Sequence, residues 1–280
     1  MIRILIIIIG ISTTLYAQDD LLDLIDDGFE NTYPVNATFK AKRIVNSQSI
    51  EMPKPRILDF MILHRFGSMS NGAYDLFGMD EAVIRFDLKY GLSDRISFGI
   101  GRSSLNKTFD IFTKVKIMSQ KTGYRSFPIT LVFFSKMEIE TIIKDMSMND
   151  RITYDFQFLL AKKFNRSLSL QLMPTLIHRN LVETNSDSHD LISIGVGGRM
   201  KMTKRTSINF DTFFPVGQRS EAYRQGWGIG YDIETGGHVF QLMLTNARGS
   251  FESEYIENAS GTLEDLDLYL GFNIARVFYL

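Results

Sequence analysis

Between Ala82 and Ile100 the chain alternates apolar and polar residues without a break. Ala82, Ile84, Phe86, Leu88 and Tyr90 alternate with Val83, Arg85, Asp87 and Lys89. Beyond Gly91-Leu92-Ser93-Asp94, Ile96, Phe98 and Ile100 alternate with Ser97, Gly99 and Gly101. Period two on both sides of a tight Gly/Ser/Asp turn predicts an antiparallel hairpin with one greasy and one polar face.

The same unit recurs from Arg56 to the end of the chain. Twelve strands are predicted: 57–66, the two strands of the opening hairpin, 109–117, 127–136, 152–164, 168–178, 192–202, 208–214, 227–233, 238–246 and 266–278. In 152–164, for example, Tyr154, Phe156, Phe158 and Leu160 oppose Asp155 and Gln157. Segment 127–136 is apolar on both faces, so its facing stays open. Pro174 falls in the middle of 168–178, where a closed sheet has no edge to accept it; a bulge or a loss of pairing is expected there.

The connections add a second regularity. Long ones follow the odd-numbered strands (67–81, 139–150, 180–190, 216–226 and 247–265), with a short one after the third strand only. Tight ones follow the even strands: 91–94, Asn165-Arg166, 203–206 and Gly236-Gly237, with 119–125 longer. Long loops on one rim and short turns on the other are the pattern of an outer-membrane barrel. An even strand count puts both ends of the barrel on the short-turn, periplasmic side. The fold class expected is therefore all-β: an up-and-down antiparallel transmembrane β-barrel of about 12 strands.

Alternation alone does not say which face is outside, since a soluble barrel or sandwich would bury the greasy face. Three features favour lipid outside. The polar face mixes Gly and Ser with charge. Aromatic residues gather at strand ends, with Tyr90, Phe164 and Phe278 on one rim and Phe66, Phe109, Phe214 and Trp227 on the other. The loop asymmetry is the third. Arg102 and Lys162 fall on the lipid face near strand ends, where snorkelling tolerates them.

The start of the chain reads as a targeting signal. Arg3, the apolar run 4–9 and Tyr16-Ala17-Gln18 describe a secretory signal peptide over 1–17. Residues 18–55 are expected to be a periplasmic N-terminal segment. It comprises a short amphipathic helix at 19–27 and a linker with one short strand near 38–45; the barrel domain follows at 56–280. No stretch of 18 apolar residues could form a spanning helix, so insertion must be by strands. Cysteine is absent, which removes disulfides and zinc-thiolate sites. A net charge of -1 argues against a nucleic-acid partner.

Several segments carry a resemblance: 37–43 (ATFKAKR), 64–67 (HRFG), 72–80 (GAYDLFGMD), 90–95 (YGLSDR), 99–104 (GIGRSS) and 236–249 (GGHVFQLMLTNARG). In these the chain resembles an uncharacterised family of bacterial outer-membrane barrels, common in Bacteroidota and known only as a domain of unknown function. YGLSDR-type turns are widespread; the GAYDLFG and GGH-x-F segments are more distinctive. The resemblance spans roughly 36–280 and implies the fold. It implies no substrate and no catalytic residue.

The residues offer little for catalysis. There is no cysteine and no G-x-S-x-G elbow, so no enzymatic activity and no cofactor is expected. His64, His178 and His238 lie far apart in a twelve-strand ring. Only His178 and His189 could approach, through one loop, and solvated rim histidines explain them better than a metal site. Glu183, Asp187 and Asp190 make that loop acidic, but their spacing fits no established calcium loop. Glycines and aromatics in 67–81 could fold inward as a constriction or pack on the rim; the rim is a loop's default place.

The polar strand face is more informative. Arg85, Asp87, Lys89, Lys114, Lys116, Asp155, Arg199 and Asp211 are expected to line the lumen. They could line a selective pore, or form ion pairs that fill a narrow barrel and seal it. The function expected is an outer-membrane barrel that passes or binds small solutes. The alternative is a non-conducting barrel that anchors a periplasmic or surface complex. Outer-membrane lipid, the barrel-assembly machinery and small solutes are the partners expected.

Overall fold

The structure, a computed structural model, describes residues 31–280 except 143–144, 183–187, 218, 220–222 and 236–237. The expected signal peptide, the 19–27 helix, Glu183, Asp187 and the Gly236-Gly237 turn lie outside the described residues.

Fourteen strands are seen among these residues. They are β1 (Thr32–Pro34), β2 (Ile57–Ser68), β3 (Ala82–Gly91), β4 (Ile96–Ser103), β5 (Phe109–Met118), β6 (Lys121–Gly123) and β7 (Thr130–Ile139), then β8 (Ile152–Lys163), β9 (Leu168–Arg179), β10 (Asp190–Lys201), β11 (Thr206–Pro215), β12 (Trp227–Thr235), β13 (His238–Thr245) and β14 (Tyr269–Tyr279). Twelve of them close into one antiparallel barrel, in which β14 pairs with β2 from Ile57↔Tyr279 onward. Closure leaves no open edge, so each strand satisfies its backbone on both sides. The two three-residue strands β1 and β6 pair with each other outside the barrel.

The facing left open by alternation is settled by burial. Phe86, Leu88, Phe98, Ile100, Ile111, Phe158, Ile194 and Ile229 stand exposed on the outer wall, while Arg85, Asp87, Lys89, Asp110 and Lys114 are buried inside. This inversion of a soluble protein is what a hydrocarbon solvent selects. The aromatic rings at strand ends form girdles on this wall: Phe164 and Phe278 at the short-turn rim, Phe109 and Phe214 at the other. Cations near the rims lie over such rings, with Arg102 5.4 Å from the Phe109 centroid and Lys162 5.0 Å from that of Phe164.

Two local expectations resolve differently from each other. Pro174 keeps its register with Ile194 on β10. On its β8 side, pairing lapses between Gln157↔Thr175 and Leu160↔Leu172 and resumes without a bulge. The proline costs a local stretch of ladder, and the barrel absorbs it. The segment apolar on both faces becomes β7, shifted three residues along. It is greasy inside as well as outside because Val132 and Phe134 pack into a buried cluster within the lumen.

Candidate functional site

The lumen is occupied by the chain itself. Residues 36–52, expected as part of a linker ahead of the barrel, enter from the short-turn rim and lie inside it. The segment is fixed at that rim by the Val35 amide donating to Gln120 O (3.0 Å) and the Arg56 amide donating to Gly91 O (3.0 Å). Between these points it folds back on itself, with one antiparallel bridge, Arg43↔Gln48, and the Ile44 amide donating to Ser47 O at 2.9 Å. Residues 43–50 are all buried. The strand expected near 38–45 is thus one arm of a hairpin-like insert. It lies where it does because its polar backbone and its apolar side chains both find partners on the barrel's inner wall.

The tip of this insert is held by Asp211, about halfway along β11. The Asp211 Oδ2 oxygen accepts from the amides of Val45 (3.1 Å), Asn46 (2.8 Å) and Ser47 (2.7 Å) and from the Ser47 hydroxyl (2.7 Å). Successive amides converging on one carboxylate form an anion nest. Other wall residues bind the insert's backbone. Lys114 donates to Ser49 O at 2.7 Å, Gln171 donates to Gln48 O at 2.7 Å and accepts from the Ile50 amide at 3.0 Å, and Gln241 donates to the carbonyls of Arg43 and Ile44 at 3.2 Å. Glycines on the inner face make room: a Cβ at Gly197 would stand 2.7 Å from Ile44 Cδ1, and one at Gly228 2.8 Å from Val45 Cγ1.

One side of the lumen is ionic. Arg85 grips Asp110 with both terminal nitrogens (2.5 and 2.8 Å) and reaches Asp87 through Nε at 2.7 Å. Asp87 also takes Lys89 at 3.3 Å and Arg43 of the insert at 3.4 Å, and Asp59 takes Lys42 of the insert at 2.8 Å. The other side is apolar: Leu159, Met173, Ile177, Leu191, Phe213 and Met243 pack with Phe39, Ile44, Val45 and Ile50 of the insert.

A second insert descends from the opposite rim. The long connection 246–268 carries a five-residue helix, α1 (Glu252–Ile256), whose Glu252, Ser253, Tyr255 and Ile256 are buried. Glu252 pairs with Lys136, accepts from Tyr255 OH at 3.0 Å and accepts from Gln48 Nε2 of the first insert at 2.9 Å. Burial alone would raise the Glu252 carboxyl, but Lys136, Arg43 and Arg85 outweigh it and hold the group below the usual carboxylate range. Ser253 donates to Glu138 at 2.5 Å, and Arg179 pairs with Glu257 at 2.9 Å. The two inserts meet inside the barrel, where Gln48 and Arg43 of the first reach Glu252 of the second.

The residues expected to line the lumen take different roles. Arg85, Asp87 and Lys89 form the ionic wall; Lys114 and Asp211 hold the first insert. Asp155 is buried beside Gln157 at 3.2 Å, and Arg199, nearer the short-turn rim, bonds Ser207 at 3.2 Å. Lys116 is not buried with the others. It is only partly buried, at the rim end of β5 just before the irregularity between Lys116 and Met118, and lines a depression at the short-turn rim. The 67–81 loop stays on the rim, with Tyr74 96% and Phe77 50% exposed. Among the described residues no group of three metal-ligating side chains occurs. His178 binds Asp190 at 2.7 Å, and its ring lies 6.1 Å from that of His189.

Sequence reasoning missed both inserts. The signals were present but faint: Phe39, Ala41 and Val45 share one face of a period-two stretch, and Phe251 and Tyr255 stand one helical turn apart in a loop.

Comparisons with known proteins agree with this architecture. No curated protein matches the sequence. Among solved structures, the COG4313 outer membrane channel from Pseudomonas putida F1 superposes with a TM-score of 0.51 at 12% identity, covering 86% of this chain and 100% of that one. The KdgM porin gives 0.49 at 7% identity, over 79% and 99%, and the NanC porin 0.49 at 9%, over 80% and 99%. At such identities the likeness is one of fold. The model of the family described as "Membrane bound beta barrel domain (DUF5777)" matches residues 39–278, so it takes in the first insert together with the barrel. The chain belongs to this family of membrane-bound β-barrels.

Proposed function

We propose that this protein is an integral outer-membrane β-barrel that passes small polar solutes, and that it is closed at rest by its two inserts. The observation that carries this reading is the nature of the first insert's seat. It enters from one rim and returns to the same rim, so it can withdraw without threading the barrel. Its bonds to the wall, from Asp211, Lys114, Gln171 and Gln241, are of a kind that water can replace. The wall it covers carries both signs of charge, which suits polar solutes. The fold shared with a solved outer membrane channel is in keeping with this reading, and short turns on one rim suit the periplasmic side. The reading includes no catalytic step.

The second reading is a non-conducting anchor. The apolar packing of Phe39, Ile44, Val45 and Ile50 against the wall favours it, because such packing resembles a permanent core. One experiment separates the two. The chain has no cysteine, so a pair can be introduced cleanly. A Cβ at Gly230 would lie 3.3 Å from Val45 Cγ2, close enough for a disulfide between Val45→Cys and Gly230→Cys. In planar bilayers the reduced double variant should give conductance steps that vanish on oxidation. Silence of both the wild type and the reduced variant would reject the channel and leave the anchor.

A further inference from the structure

The formal charge of -1 conceals a separation of charge between the two rims. At the short-turn rim, the connection 119–129 carries Lys121 and Arg125 and no carboxylate. Turn 164–167 carries Arg166, and turn 202–205 carries Lys204 and Arg205, again with no carboxylate. Asp94, beside Arg95, is the exception among these tight turns. At the other rim, loop 69–81 holds Asp75, Asp80 and Glu81 and no cation. Connection 246–268 is also acidic, with Arg248 its one basic residue.

The basic rim has a shaped place in it. A depression of 400 Å³ lies where β5 and β6 meet the turn after β3. Among the described residues it is lined by Arg95, Lys116, Lys121 and Arg125 with no carboxylate, together with Met118 and Phe127. Lys116 and Met118 flank the one irregularity in the β5–β7 ladder. Lys116 itself still pairs in register with Val132, and it is less buried than Lys114 because it lies nearer the rim end of β5. Met118 is 39% exposed and its neighbour Ile117 44%, so an apolar surface continues from the cationic cluster toward the lipid-facing wall. On the same rim Lys162 and Arg276 lie over Phe164 and Phe278, at 5.0 and 5.3 Å, which marks this level as the membrane interface.

We propose that this depression binds the headgroup of an anionic phospholipid in the leaflet at the short-turn face. Four cations without a carboxylate among them complement a phosphodiester. The apolar residues beside them complement acyl chains, which a free phosphate lacks. The turn 164–167 and the turn 202–205 extend the same attraction around the rim, but they offer no such apolar floor.

Native mass spectrometry of the full chain, released from bilayers of equal phosphatidylcholine and phosphatidylglycerol, tests this. The wild type should retain phosphatidylglycerol selectively. The variant Arg95→Gln/Lys116→Gln/Lys121→Gln/Arg125→Gln should lose that preference, by roughly fivefold for each cation removed. A control, Arg166→Gln/Lys204→Gln/Arg205→Gln, should keep most of it. Heat-modifiable gel migration verifies that each variant is folded. If the quadruple variant is not, the exposed single changes Lys121→Gln and Arg125→Gln should each give the graded loss. Equal retention of the two lipids by the wild type would overturn the proposal. So would an equal loss in the control, which would mean diffuse rim charge, or displacement of the lipid by inorganic phosphate alone, which would mean a phosphate site.

Discussion

Asp211→Ala tests how the first insert is held. In the wild type one carboxylate oxygen receives three backbone amides and a hydroxyl, all buried. Alanine removes the acceptor and leaves the three amides with nothing to donate to. Each buried, unmet donor costs about 1–3 kcal/mol, and bonds to a charged acceptor are about twice as strong as neutral ones. The carboxylate's own burial, with its second oxygen unbonded, offsets part of this. A net loss of about 3 kcal/mol in insert docking is expected. That corresponds to a rise of roughly 150-fold in the withdrawn population, at tenfold per 1.4 kcal/mol. A single cysteine at Val45, which is fully buried, reports that population through its rate of reaction with a membrane-impermeant maleimide. The rate should rise by about two orders of magnitude in the Asp211→Ala background, and Asp211→Asn should fall between. A change smaller than about threefold would mean that the apolar contacts alone seat the insert, and the argument from the nest would fail.

Gly197→Val should loosen the same insert by steric means, since its Cβ would crowd Ile44 Cδ1 and Met173 Cε (2.7 and 3.4 Å); overpacking of this kind costs about 1–3 kcal/mol, read again by Val45→Cys labelling. Glu252→Gln removes the charge at which the inserts meet. Lys136 keeps Glu138 at 2.8 Å and Arg43 keeps Asp87 at 3.4 Å, so the loss should fall below the 3–5 kcal/mol of a fully orphaned ion, at about 2 kcal/mol, visible as a lower temperature of heat-modifiable unfolding. In the second insert, burial, then Glu140 and Glu138, push Glu254 up to about 7 against the pull of Arg248. An undocked loop would ionise near 4.5, so the docked loop holds the extra proton between these values. Docking is therefore strongest below that window and weakens as pH rises through it. Protease cleavage within 246–268 should increase from pH 5 to pH 8 in the wild type and rise less in Glu254→Gln, where Glu257, also raised by burial, remains; parallel curves would refute the assignment. Ile100→Lys, on the exposed outer wall, should cost about 2–4 kcal/mol if that face meets hydrocarbon and almost nothing if it meets water.

The wall of this barrel was legible in the chain because its code is local. Which residues face lipid follows from period two, as in Phe86, Leu88, Phe98 and Ile100, and which rim a connection occupies follows from the alternation of long and short connections, with 104–108 and 119–129 the exceptions in length. Most of the polar face read as lumen is found buried there, from Arg85 to Asp211. The inward glycines were read as a mark of a lumen, and their contacts with Ile44 and Val45 give the reason: they vacate space for another part of the chain. Lys116 keeps the alternating register, paired with Val132, but it lies at the rim end of β5 and is only partly buried, a matter of depth that alternation does not encode.

What filled the lumen was decided only in three dimensions. The Asn46 amide meets Asp211 across 165 positions, and Gln48 meets Glu252 across 204. A nest of amides has no side-chain signature, and the short period-two stretch at Phe39, Ala41 and Val45 says that a face is buried but not against what. The sequence by itself determined a closed wall with lipid outside and charge within. Whether that charge lined a pore or met a partner depended on where two irregular segments came to rest, and that is set by contacts too distant along the chain for any local pattern to encode.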